Sequence, residues 1–171
     1  MLPPAVTSAQ AGFAPPAVRA SCLVGSPGSA GSAITVGAYT TRNAWTDASG
    51  AAQSMPFVLH DVADFSSPGP LRNGAAKPDL VAPGAMIASA RSGAATFGPQ
   101  YLLSADLAVL PGTSMATPYI AGLVACLLEG NPALDPAAAK ALLAGHSLIP
   151  GQPAGTFDPK WGHGLVDAAG L

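Results

Sequence analysis

The residues Gly112-Thr113-Ser114-Met115-Ala116-Thr117-Pro118 stand directly before an apolar run that reads as a helix from about Ser114 to Glu129. A serine at a helix start has two physical uses. As a cap, its side-chain oxygen accepts from a free backbone N–H of the first turn. As a nucleophile, it gains from the same place. Its own unpaired N–H can donate to an oxyanion, and the helix dipole favours negative charge. Gly112 lets another chain approach closely. Position alone favours capping, which is the commoner role. A cap at Thr113 instead would leave the Ser114 hydroxyl free.

A serine nucleophile needs an adjacent base. The chain has three histidines, His60, His146 and His163. None stands in a segment marked for that task, and each reads as a surface or structural residue. Among the acids, Asp61 and Asp64 flank a strand edge and read as solvated. Asp79, between a proline and a strand, reads as a partner for a local backbone N–H. Asp135, before Pro136, reads as a helix cap. No His/Cys cluster or paired carboxylate points to a metal, and no motif points to a cofactor. The two cysteines, Cys22 and Cys126, are far apart and lack metal-ligand spacing. Cys126 lies in the apolar helical run and reads as a buried free thiol.

The elements around these residues suggest an α/β protein with a mostly parallel sheet. Apolar residues make up 49% and charged residues only 9%, the balance expected of buried strands in a larger α/β protein. Apolar residues are spread along the chain, which argues against disorder. The seven Lys and Arg are scattered singly, so no nucleic-acid surface is expected. No apolar stretch is long enough for a membrane span. Met1-Leu2-Pro3-Pro4-Ala5 has neither a basic start nor a long apolar stretch after it, so no signal peptide is read and the compartment is left unassigned. Residues 1–21, rich in Ala and Pro, read as a linker or frayed start; residues 22–171 read as the folded part.

Ala33–Ala38 and Asp79–Ala82 read as buried strands. Met86–Ala90 is expected to continue the sheet, and Phe57–Leu59 is a weaker strand candidate. Phe65–Pro70 reads as a strand end running into a turn. Residues 40–56 read as a loop. Pro83-Gly84 suits a type II turn. The helix from Ser114 is apolar nearly all round, so it is expected to be buried, and Gly130-Asn131-Pro132 should stop it. A second helix should begin at Asp135-Pro136 and end at Gly145.

The segment at Ser114 closely resembles the nucleophile signature of the subtilisin-like serine protease family. Further blocks resemble the same family in the same order. Val24-Gly25-Ser26-Pro27-Gly28 and Ile34-Thr35-Val36-Gly37-Ala38 are similar to its substrate-pocket edge and the strand after it. Phe65–Pro70, Lys77–Gly84 and Trp161–Ala169 are similar to later family blocks. The resemblance runs from about residue 23 to the end. It implies the C-terminal portion of a subtilisin-like three-layer fold, with a buried helix following the serine. It implies Ser114 as the acyl-forming nucleophile, with its backbone N–H an oxyanion donor, and Gly25 as a pocket residue. Pro27 matches a proline that is commonly cis in the family. Tyr119 stands where the family often has a histidine that is not the base.

In that family the triad runs Asp, His, then Ser along the chain. No segment here resembles the Asp or His blocks, or the Gly-Asn segment that supplies an oxyanion side chain. Gln10 and Gly12 fall near that region without matching it. The resemblance therefore implies a serine endopeptidase acting on polypeptides. The Asp and His would have to come from an N-terminal segment, and the chain alone is expected to be inactive. It is also expected to expose a bare strand edge and an apolar face. Two alternatives stay open: a non-catalytic binding remnant of the same fold, and a self-sufficient serine esterase or hydrolase with a rearranged histidine.

Overall fold

Val36 to Tyr39 forms the first strand, and all four of its residues are buried. The computed structural model describes residues 20–171. The Ala/Pro-rich start, with Gln10 and Gly12, thus lies outside the described residues except at Ala20 and Ser21. In chain order the strands are β1 (Val36–Tyr39), β2 (Ala44–Thr46), β3 (Ala52–Ser54), β4 (Leu80–Pro83), β5 (Ile87–Ala90), β6 (Leu107–Leu110), β7 (Ser147–Leu148) and β8 (Leu165–Val166). The helices are α1 (Thr113–Gly130) and α2 (Pro136–Gly145).

The main sheet has the order β1-β4-β8-β7. β1 and β8 run parallel to β4, with Val36 opposite Leu80 and Val81 opposite Leu165. Only β7 is antiparallel. The mixed α/β architecture with a mostly parallel sheet is as expected. Val36, Leu80, Ala82 and Val166 pack on Ala116 and Ile120 of α1 and Leu143 of α2. On the other side, Tyr39 and Val81 pack with Val62, Trp161 and Leu165. Each large aliphatic side chain removed from water here contributes about 1.5–3 kcal/mol. The outer edge of β1 is not bare at Ala38. Ala63 N–H donates to the Ala38 carbonyl (2.8 Å), and Ala38 N–H donates to Ser66 Oγ (3.0 Å).

Several local expectations need correction. Residues 40–56 hold the β2–β3 hairpin, with Trp45 opposite Gln53. A single carboxylate organises it: Asp47 accepts from Ser49 N–H and hydroxyl, Ala51 N–H and Gln53 Nε2. Met86–Ala90 does not extend the main sheet. Met86 has a φ of 51°, the chain turns there, and β5 pairs antiparallel with β6 instead. Gly84 lacks the positive φ of a type II turn, and Phe57–Leu59 forms no strand. Phe65–Pro70 contains no strand either.

α1 and α2 start within one residue of their expected places. α1 is buried on one side only, at Ala116 and Ile120. Its outward residues, including Ala121, Gly122, Ala125 and Cys126, are exposed. Nothing among the described residues covers that side, so Cys126 is an exposed free thiol rather than a buried one. α2 is capped as expected, with Asp135 Oδ1 accepting from Ala138 N–H at 2.9 Å and Pro136 at the first helical position.

Two outcomes follow from these caps and turns. Asp135→Ala should cost about 0.5–2 kcal/mol in urea unfolding, the usual loss for an aspartate cap. An unchanged midpoint would show that the cap is idle. The hydrogen bonds from Ser49 lead in holding the Asp47 carboxyl down to about 2, from an ordinary 3.8. A carboxylate depressed in the folded state adds stability that is fully present above its unfolded value. The hairpin should therefore be intact above pH 4 and loosen as pH falls through about 2. Trp45, stacked on Tyr101 at 6.3 Å, reports this by fluorescence. Asp47→Asn should flatten the acid transition.

Candidate active site

Ser114 owes its place to two glycines. Gly112 N–H donates to the Gly84 carbonyl at 2.8 Å, which docks the start of α1 on the end of β4. A Cβ on Gly84 would lie 2.6 Å from Ala38 Cβ and 3.1 Å from Ala116 Cβ. Only glycine lets β1, the end of β4 and the first turn of α1 meet this closely.

The capping reading of Ser114 is not what the structure shows. The N-cap is Gly112, and no side chain caps the helix. Ser114 is the second helical residue and is exposed. Among the described residues its hydroxyl has no hydrogen-bond partner, and neither has its backbone N–H. The first turn is open in a second way. Pro118 has no N–H to offer the Ser114 carbonyl, while Thr117 Oγ1 donates to the Thr113 carbonyl at 2.9 Å. A free hydroxyl thus sits beside a free N–H at the positive end of an 18-residue helix.

Beside this turn lies a cleft of about 160 Å³ whose walls include Gly25, Gly28, Thr35, Ser66 and Thr113. Gly25, identified by resemblance as a pocket residue, and Thr113, the neighbour of Ser114, therefore line one recess. No atom lies within 4 Å of a Cβ built on Gly25, so that wall is open. The Ser26–Pro27 bond is cis, as expected. Larger open depressions of about 470 and 710 Å³ lie nearby. Neither reaches Thr113, although the larger shares Gly25.

The histidines are engaged elsewhere. His60 Nδ1 is 3.2 Å from the Tyr39 hydroxyl. Burial, helped by the Asp61 charge, raises the pKa of that hydroxyl. His146 follows α2 and lies against Gly170, and His163 meets Phe157 edge-on at 5.4 Å. Asp61 pairs with Lys160 at 3.1 Å, both half-exposed. Among the described residues no group of His, Cys, Asp or Glu is placed to hold a metal.

Asp79 is not the local hydrogen-bond acceptor expected of it. Its Oδ2 accepts from Thr35 N–H and from Lys77 Nζ, both at 2.6 Å, and Lys140 Nζ lies 2.9 Å from its Oδ1. Burial pushes the Lys77 ammonium below its ordinary pKa, and Asp79 pulls it back up. Thr35, Lys77 and Lys140 went unread as site residues. Their partners lie up to 109 residues away in sequence, beyond the reach of any local pattern.

Known proteins are similar to this chain in sequence and fold. A model of the Subtilase family matches residues 15–164. Serine protease AprX of Bacillus subtilis is 37% identical over 129 residues, which is 70% of this chain and 26% of that protein. Pyrolysin of Pyrococcus furiosus is 35% identical over 163 residues, 85% of this chain and 11% of that protein. The structure of the Clostridium perfringens CspB protease superposes with a TM-score of 0.62 at 26% identity, covering 86% of this chain and 27% of that one. The chain thus spans about a quarter or less of the length of these relatives. With residues 15–164 matched, most of its length, the chain belongs to the subtilase family of subtilisin-like serine proteases.

Proposed function

We propose that Ser114 is the nucleophile of a serine endopeptidase and that Gly25 lines the recess for the substrate residue before the scissile bond. The acid, the base and the side-chain oxyanion donor come from polypeptide outside residues 20–171. The observation that carries this reading is the uncommitted Ser114 hydroxyl and N–H, side by side next to the cleft that Gly25 and Thr113 share. Residues 22–171 are then a partial peptidase domain, with residues 1–21 a linker.

The chemistry is acyl transfer. The Ser114 oxygen attacks the peptide carbonyl while the supplied base takes its proton. The Ser114 N–H, aligned with the helix dipole, donates to the oxyanion. The proton then goes to the leaving amine, and water releases the acyl group by the reverse route. Two observations support an external base. His60, His146 and His163 each have other neighbours, and the outward side of α1 presents exposed apolar surface for a further segment to cover.

The chain by itself should therefore show little cleavage of an unfolded protein substrate. Lack of a general base alone costs about 10²–10⁴-fold. Adding the preceding part of the catalytic domain from a relative such as the Bacillus subtilis protease should restore cleavage and labelling by a fluorophosphonate. Both should vanish in Ser114→Ala. Strong cleavage by the chain alone, lost in Ser114→Ala, would instead establish the self-sufficient hydrolase. Binding of peptide without cleavage or labelling in either mixture would establish the non-catalytic remnant.

A further inference from the structure

Thr35 stands at the entry to β1 and uses every polar group it has. Its carbonyl accepts from Asp79 N–H at 2.8 Å, and its N–H donates to Asp79 Oδ2. Its hydroxyl accepts from Lys77 Nζ at 3.0 Å and donates to the Gly28 carbonyl at 2.6 Å. A hydroxyl has one proton to give. With Lys77 able only to donate, the Thr35 proton is directed at Gly28. Lys77 is itself fixed, 3% exposed, by Asp79 and by the Ala33 carbonyl at 2.7 Å.

Gly28 belongs to the turn that carries the cleft wall. Ser29 N–H donates to the Gly25 carbonyl, and Ala30 N–H to the Pro27 carbonyl, each at 3.0 Å. A Cβ on Gly28 would lie 3.1 Å from Thr35 Cγ2 and 3.3 Å from the Gly25 carbonyl oxygen. The Thr35 side chain therefore holds Gly28 by a hydrogen bond and by packing, and Gly28 lies directly on Gly25. The turn has few other ties to the sheet. Lys140 Nζ holds it further along, at the Gly31 carbonyl, 3.0 Å away.

We propose that Thr35, held in place by Lys77 and Asp79, is the positioning residue for the Gly25 wall of the cleft and so sets how tightly the substrate residue before the scissile bond is gripped. This rests on the assignment of Gly25 to substrate binding. Thr35 also lines the cleft, but its hydroxyl is committed to the Gly28 carbonyl, so the hydroxyl acts on the Gly25 wall through Gly28. Loss of its hydroxyl should weaken substrate binding and leave the Ser114 chemistry intact.

Thr35→Val keeps the branched shape and removes the hydroxyl. Thr35→Ser keeps the hydroxyl and removes the methyl. Amide hydrogen exchange of the chain reads the turn whether or not any enzyme activity exists. In Thr35→Val the Ser29 and Ala30 amides should exchange about three- to tenfold faster, the equivalent of one lost hydrogen bond, with the α1 amides unchanged. In Thr35→Ser they should keep their protection. In the reconstituted protease, Thr35→Val should raise KM by a similar factor with kcat within about twofold, and Thr35→Ser should restore KM. If Thr35→Val also speeds exchange in α1, Thr35→Ala is read at the same amides in its place. Unchanged exchange at Ser29 and Ala30, or a Thr35→Ser variant as loose as Thr35→Val, overturns the proposal. So does a loss confined to kcat. Absence of activity in the reconstituted wild type overturns the catalytic assignment instead, and the exchange result still decides whether Thr35 positions the turn.

Discussion

One carboxylate ties together three parts of this chain that are remote in sequence. Asp79 receives the Thr35 N–H at the entry to β1, the Lys77 ammonium just before β4, and the Lys140 ammonium from α2. The Lys77 side chain is only 4% exposed, so these oxygens replace its water. Such a cluster is a weak source of net stability, since desolvation offsets most of the attraction. Removing one partner is another matter and typically costs about 3–5 kcal/mol, because an unpaired buried charge remains. Its contribution is therefore geometric: the partners must stay where they are. In a chain with only seven Lys and Arg, placing two of them around one aspartate is a strong commitment of charge to a single junction.

β4 turns that junction into a site. Asp79 immediately precedes it, and Gly84 immediately follows it. The first anchors the turn that carries Gly25, through Thr35 and Gly28. The second anchors the start of α1 through Gly112. The four residues between span about 13 Å of extended strand. That strand is buried against β1 on one side and β8 on the other, so it cannot bow or slip without disturbing both. The turn that carries Ser114 and the cleft wall thus share one rigid spacer. Neither needs to contact the other for their separation to be fixed.

What could be read from the sequence follows the range of the interactions involved. Asp135-Pro136 and Gly130-Asn131-Pro132 announce helix ends through contacts within four residues, and α1 and α2 lie where those signals put them. β1 and β4 were legible because buried parallel strands leave continuous apolar runs. β7 and β8 were not, since strands of two residues carry no periodicity and exist only through pairing with each other and with β4. The β2–β3 hairpin is illegible for a related reason: Asp47 makes its turn with four hydrogen bonds that an Asp-Ala-Ser-Gly stretch does not advertise. For the proposed site, Ser114 and Gly25 are legible only through family resemblance. Thr35 carries no such mark, because its partners stand at positions 28, 77 and 79.

α1 has the composition of a helix enclosed on all sides, yet only Ala116 and Ile120 are buried in it. A surface helix ordinarily shows a polar side. Here the outward side is built from Ala121, Gly122, Ala125 and Cys126, with Tyr119 and Leu128 at about two-fifths exposure. Small residues suit close approach by another backbone more than they suit water, and apolar ones gain when water leaves. The composition therefore matches a helix that packs on the sheet with one side and on further polypeptide with the other. Ser114, in the first turn of that helix, is exposed like the uncovered side. Polypeptide that covered it would be brought against the free hydroxyl, where the proposed external base would stand.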